Sequence, residues 1–181
     1  MTNQGSLAGL GTKSSREVVR VGRVLVIDPA KCRGCCSCMV ACATRNEGNG
    51  DLKTSRIKVV PFPNEAYFVP MACLQCERPN CVLICPSGAL NRNAETGVVE
   101  RDKDKCIGCK LCLLACPFGN LTFVNGVSAK CELCEGNPIC IKVCDWGALS
   151  FGEANEIGKG KRVFVANRVY ESQKELDSEQ K

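Results

Sequence analysis

Cys106-Ile107-Gly108-Cys109-Lys110-Leu111-Cys112-Leu113-Leu114-Ala115-Cys116-Pro117 spaces four thiols as C-x2-C-x2-C-x3-C and closes on a proline. Three of the thiols lie close enough for one loop to wrap a single centre. The fourth follows after three more residues and points away from the others. Pro117 fixes its own φ and stops the segment from continuing as it entered. Gly108 falls between the first two thiols, where the backbone has to turn tightly.

Outward from that stretch the pattern recurs and consumes nearly every cysteine. Cys32, Cys35, Cys38 and Cys42 repeat the spacing. Cys73, Cys76, Cys81 and Cys85, followed by Pro86, are a looser version, as are Cys131, Cys134, Cys140 and Cys144. The flanking residues repeat too. Asp28-Pro29-Ala30-Lys31-Cys32-Arg33-Gly34-Cys35 matches Asp102-Lys103-Asp104-Lys105-Cys106-Ile107-Gly108-Cys109. Gly88-Ala89-Leu90 after the second run matches Gly147-Ala148-Leu149 after the fourth. The chain reads as a duplicated two-run unit. Of 17 cysteines only Cys36 is left over. Its counterpart is Lys110, so it reads as a bystander.

Three chemistries use cysteine this densely. A disulfide framework calls for a secreted chain and an even count. Seventeen is odd, and residues 1–15 hold neither the apolar stretch of a signal peptide nor paired arginines. Structural zinc takes four cysteines, often as two C-x2-C pairs. Here the first and third runs bring a third thiol after only two more residues, then a fourth at x3. C-x2-C-x2-C-x3-C-P is the run with which bacterial ferredoxins hold [4Fe–4S] clusters. Iron–sulfur is therefore the expectation, with a zinc-bound interaction module as the remote alternative.

In a two-cluster ferredoxin the fourth cysteine of each run serves the other run's cluster, so runs must pair. The gap from Cys85 to Cys106 best matches a single such module. That pairs the second run with the third and leaves the first to pair with the fourth. The expected ligand sets are Cys32, Cys35, Cys38 with Cys144; Cys131, Cys134, Cys140 with Cys42; Cys73, Cys76, Cys81 with Cys116; and Cys106, Cys109, Cys112 with Cys85. The alternative, first with second and third with fourth, follows the repeat unit and remains open on spacing.

Composition agrees with cluster-filled interiors. Aromatics are 5% of 181 residues and histidine is absent, so side chains alone make a poor core. The formal charge of +5 counts thiols as neutral. Four clusters at about −2 each with their thiolates would carry it to about −3. Lys31, Lys105, Lys110 and Lys130 flank ligands and could offset that charge, although an ordinary solvated lysine is the expectation at any one of them. Trp146, beside Cys144, is either a cover over a cluster or a core residue. No basic stripe interleaved with aromatics points to nucleic acid. No apolar run approaches the ~18 residues of a membrane span. A soluble protein in a reducing compartment, most simply the cytoplasm, is expected. No residue set for acid–base or nucleophilic catalysis is recognisable.

Residues 1–20 read as a flexible lead-in. Short strands are predicted at residues 23–27, 56–60, 67–69, 89–91, 98–100, 120–124 and 127–130, with a loop at residues 45–55. Asn125-Gly126 is the strongest hairpin signal, a type I′ turn. A last ribbon is predicted between residues 148–151 and 162–165, across a glycine-rich loop. From Ala166 the tail has only weak helical spacing. The fold class is thus α+β: two ferredoxin-like modules related by duplication, with small ribbons and short helices around four [4Fe–4S] clusters. Residues 21–151 form that domain. Module A takes the runs at 32–42 and 131–144, and module B those at 73–85 and 106–116. Residues 152–181 supply a ribbon end and a tail expected to dock on a partner or on a second copy.

Over residues 24–151 the four runs resemble the polyferredoxin-like iron–sulfur subunits of molybdenum and tungsten oxidoreductases. The resemblance implies the same nested pairing and, since no ligand is missing, four [4Fe–4S] clusters. Ala43 and Asp145 depart from it, standing where proline follows the last cysteine of the other two runs. The small size looks most like the electron-transfer subunit of a tungsten aldehyde oxidoreductase. That implies a tungstopterin catalytic subunit and a flavin subunit exchanging electrons with NAD. Hydrogenase, formate dehydrogenase and dimethyl sulfoxide reductase-type subunits are the alternatives within the family, and a free polyferredoxin the alternative outside it.

Overall fold

The computed structural model describes residues 22–179; the lead-in expected at residues 1–20 lies outside them. β1 (Arg23–Ile27) runs into a 3-10 turn at Pro29–Lys31, capped by the Asp28 carboxylate, which accepts from the Ala30 N–H at 3.2 Å. α1 (Ser37–Glu47) begins at Cys36 and is stopped by Gly48, both in the left-handed region. The hairpin of β2 (Lys58–Phe62) and β3 (Tyr67–Met71) follows. Next come α2 (Asn80–Leu83) and the ribbon of β4 (Leu90–Arg92) and β5 (Val99–Arg101). α3 (Leu111–Ala115) starts at Lys110, at the same left-handed position as Cys36. β6 (Leu121–Val124) and β7 (Val127–Lys130) meet at Asn125 and Gly126, with φ 50 and 80, the two positive values a type I′ turn requires. α4 (Ile139–Lys142), β8 (Leu149–Glu153) and the long α5 (Ala154–Glu179) complete the order.

The strands form four separate two-stranded antiparallel ribbons. Three are local hairpins. The fourth pairs β1 with β8, Ile27 opposite Leu149 and Arg23 opposite Glu153, and so ties the first run to the last. This corrects the predicted last ribbon. Residues 149–153 pair with β1, and residues 162–165 lie within α5. Local hairpin logic could not see a partner more than a hundred residues away. The Glu, Gln, Lys and Arg content beyond residue 166 favours helix, and an ion pair between Lys159 and Glu156 at 2.7 Å supports its first turns. The loop expected from residue 45 begins three residues later, because α1 continues to Glu47.

α1 packs on α4, and α2 on α3. Two small cores result. One gathers Cys38, Met39, Cys42, Ile57, Ala72, Cys140 and Leu149. The other gathers Cys81, Leu90, Val99, Cys112 and Leu121. Each core is part thiol, so the interior is built around the cysteines rather than beside them.

Candidate metal centres

Each tight loop delivers its thiols to a cavity. The first cavity, about 330 Å³, is lined by Cys32, Cys35, Cys38 and Cys144, with Cys36 also on its wall. The third, about 380 Å³, is lined by Cys73, Cys76, Cys81 and Cys116. The fourth, about 310 Å³, is lined by Cys85, Cys106, Cys109 and Cys112. The second is a wider cleft of about 840 Å³ lined by Cys42, Cys131 and Cys134. Cys140 is buried against Cys42 in the same core. Fifteen of the sixteen candidate ligands thus line one of four cavities, and Cys140 lies in the core cluster that holds Cys42. Four thiols around a largely apolar cavity, as at the first, third and fourth, are the donor set of a [4Fe–4S] cluster, whereas charged side chains also line the second. Among the described residues no three side chains converge on a point that a single metal ion could take.

The thiols feel one another. Burial pushes Cys38 up to about 12, with the charges of Cys35, Cys144 and Cys32 adding to it. Burial likewise pushes Cys140 up to about 12, aided by Cys131, Cys42 and Cys134. It also pushes Cys131 up to about 11, against hydrogen bonding from Leu133. Near neutral pH such thiols keep their protons until a metal displaces them, so loading releases protons and acid opposes it. Two thiols go the other way. Cys35 is lowered by the Ser37 hydroxyl and N–H. At Cys85 burial is outweighed by the Leu90 N–H and by the Ser87 hydroxyl, which is 3.7 Å away. Cys42 accepts from the Arg56 N–H at 3.3 Å and the Asn46 amide at 3.5 Å. Such N–H···S contacts spread the charge of a thiolate.

The glycines of the tight loops are required by space as well as by φ. At Gly108 (φ 71) a Cβ would stand 2.6 Å from the Gly126 carbonyl oxygen, and at Gly34 (φ 69) it would stand 2.5 Å from the Phe68 ring. Gly108→Ala is expected to cost about 1–2 kcal/mol from the left-handed backbone alone, with the clash against the Gly126 carbonyl added to it. A lowered denaturant midpoint and reduced iron retention by the fourth cavity would register it.

Sequence reasoning missed the residues that join the runs. Arg56 is 9% exposed and pairs with Glu47 and Glu132, each at 3.7 Å. It links the end of α1 to the fourth run. Arg56→Met is expected to cost about 3 kcal/mol by stranding two carboxylates that are themselves largely buried, read as a fall in chemical-denaturation stability. Asn46 was within reach of sequence, one helical turn after Cys42. Arg92 donates to the carbonyls of Cys76 and Glu77. Of the four lysines noted beside ligands, Lys31, Lys105 and Lys110 are exposed as expected. Lys130 is a correction: it is 1% exposed. Trp146 lines the first cavity but is 56% exposed, with the Arg33 guanidinium 5.6 Å from its ring centre, so it stands on the wall of that cavity and is not a core residue. Cys36 lines that cavity as a fifth thiol and donates to the Gly34 carbonyl at 3.4 Å.

Comparison with known proteins bears on the same segment. Residues 64–154 match the 4Fe-4S dicluster domain. The NADH-dependent phenylglyoxylate dehydrogenase subunit beta of Aromatoleum evansii is 38% identical over 154 residues, 81% of this chain and 34% of its own length. The thiosulfate reductase electron transfer subunit PhsB of Salmonella typhi is 37% identical over 151 residues, covering 74% of this chain and 77% of its own. The chain thus spans about a third of the first of these relatives and most of the second. A chain of the active-site complex BamBC of benzoyl coenzyme A reductase superposes with a TM-score of 0.42 at 25% identity, over 84% of this chain and 96% of that one.

Proposed function

The chain belongs to the 4Fe–4S dicluster domain family, and from that footing we propose that it is the electron-transfer subunit of an oxidoreductase complex, carrying four [4Fe–4S] clusters. Cys32, Cys35, Cys38 and Cys144 hold the first; Cys131, Cys134, Cys140 and Cys42 the second; Cys73, Cys76, Cys81 and Cys116 the third; Cys106, Cys109, Cys112 and Cys85 the fourth. The observation that supports the reading is that fifteen of these thiols line four separate cavities, with Cys140 buried in the core cluster that holds Cys42. Bound clusters supply reversible one-electron chemistry. The chain's own part is to fix the thiolates, to keep water from the cavity walls with residues such as Val59, Pro70 and Leu149, and to direct N–H groups at sulfur.

The catalytic partner in this proposal is a tungsten- or molybdenum-pterin subunit, an aldehyde oxidoreductase first among the candidates, with a flavin subunit as the second redox partner. A hydrogenase, formate dehydrogenase or dimethyl sulfoxide reductase-type partner is the alternative. Exposed apolar residues favour a docked subunit over a free polyferredoxin. Leu83, between Cys81 and Cys85, and Leu114, between Cys112 and Cys116, are 77% and 84% exposed, and Val163 and Val165 are exposed on α5. Among the described residues no helix is long and apolar enough to cross a membrane. Anaerobic isolation from the native source tests the proposal. It predicts about 16 iron and 16 sulfide per chain and co-purification of a pterin-bearing large subunit. Zinc without sulfide would overturn it, and a chain isolated alone would favour the free polyferredoxin.

A further inference from the structure

Two charged side chains among the described residues are buried, Arg56 and Lys130. Arg56 is met by two carboxylates. Lys130 is not treated that way. Its Nζ donates to three neutral oxygens: Val99 O at 2.8 Å, Cys131 O at 2.9 Å and Gln75 Oε1 at 3.1 Å. Three acceptors match the three donors of an ammonium, and none of them cancels its charge. Gln75 fixes the arrangement. Its Oε1 also accepts from the Val99 N–H at 3.0 Å, and its Nε2 donates to the Cys131 carbonyl at 2.7 Å. Gln75 itself lies between Cys73 and Cys76, 7% exposed, with φ 52. Both Lys130 and Gln75 line the third cavity, while Cys131 lines the second. A buried cation therefore stands in the wall of the third cavity, hydrogen-bonded to the backbone of a second-cavity ligand.

Aligning the second run on the fourth sets Ala72 opposite Lys130 and Leu133 opposite Gln75. Both counterparts are apolar and 2% exposed, and Leu133 keeps the left-handed backbone, φ 56. The two loops share a backbone, and the ammonium comes from the fourth run while the amide that holds it comes from the second.

We propose that the Lys130 ammonium, held by Gln75, raises the reduction potential of the cluster in the third cavity above the value it would have without that charge. Reduction adds negative charge to the cluster, and a nearby cation in a medium of low permittivity favours the reduced form. Lys130 is thus a tuning residue for the third cavity, placed at the junction of the two modules. The proposal rests on the ligand sets given above.

The test is a redox titration followed by electron paramagnetic resonance on the full, cluster-loaded chain, comparing wild type with Lys130→Met and Lys130→Gln. The first variant removes the charge at similar volume, and the second keeps a donor for the Val99 carbonyl. With iron and sulfide content unchanged, one potential is expected to fall by at least tenfold in the reduction equilibrium, about 59 mV for one electron. The cluster of the second cavity, whose Cys131 carbonyl also accepts from the ammonium, should move less, and the other two less than threefold. Equal shifts at every cluster, or none, would overturn the proposal. Failure of both neutral variants to load iron as wild type does would also overturn it, leaving a purely structural lysine. A wild-type chain without iron and sulfide would instead sink the ligand sets, before any lysine is changed.

Discussion

Stripping iron and sulfide from the purified chain with an oxidant and a chelator is expected to abolish its cooperative unfolding transition, not merely to lower it. The regular elements cannot stand alone. α2 and α4 have four residues each and α3 has five, far below the ~12 residues at which an isolated helix becomes even marginal. The strands make four two-stranded ribbons, and a lone ribbon is at best marginal in water. Both cores are small, and Cys38, Cys42, Cys81, Cys112 and Cys140 are among their members. Without metal those cavities are voids ringed by thiols, and the metal-borne links between the runs are lost. Far-UV circular dichroism through a thermal scan of the stripped chain checks this. A flat, non-cooperative trace is expected, with the remaining helicity from α5. A sharp transition near that of the loaded chain would show that side-chain packing suffices.

Cys116→Ala is expected to empty the cavity of a different run from its own. Cys116 stands with Cys73, Cys76 and Cys81, so its removal should cost about four of some sixteen irons. It should also expose those three thiols to alkylation, while Cys106, Cys109 and Cys112 stay protected. Cys85→Ala should do the reverse, because Cys85 shares its cavity with Cys106, Cys109 and Cys112. Mass spectrometry after iodoacetamide labelling separates the outcomes. Labelling of Cys131, Cys134 and Cys140 in the Cys116→Ala chain would instead support pairing of the third run with the fourth.

The local half of the fold was legible because its signals are local. Asn125-Gly126 can take two positive φ values, and the hairpin of residues 121–130 follows. Gly34 and Gly108 recur between ligands, and each occupies a space that no Cβ could share. What sequence could not show depends on distance along the chain. The β1–β8 ribbon joins residues 23–27 to 149–153, and the strand nearer in sequence was the wrong partner. Lys130 precedes a cysteine like Lys31 and Lys105, yet it alone is buried. The difference is made by Gln75, more than fifty residues away. Nor does the spacing around Cys36 reveal that its thiol joins the wall of the first cavity.

The measurement that bears most directly on the whole account is an anomalous difference map at the iron absorption edge, from crystals of the loaded chain. The account predicts four iron sites. One lies among Cys32, Cys35, Cys38 and Cys144, one among Cys131, Cys134, Cys140 and Cys42, one among Cys73, Cys76, Cys81 and Cys116, and one among Cys106, Cys109, Cys112 and Cys85. Fewer iron sites, or density that joins Cys85 to the iron of Cys73, would contradict it.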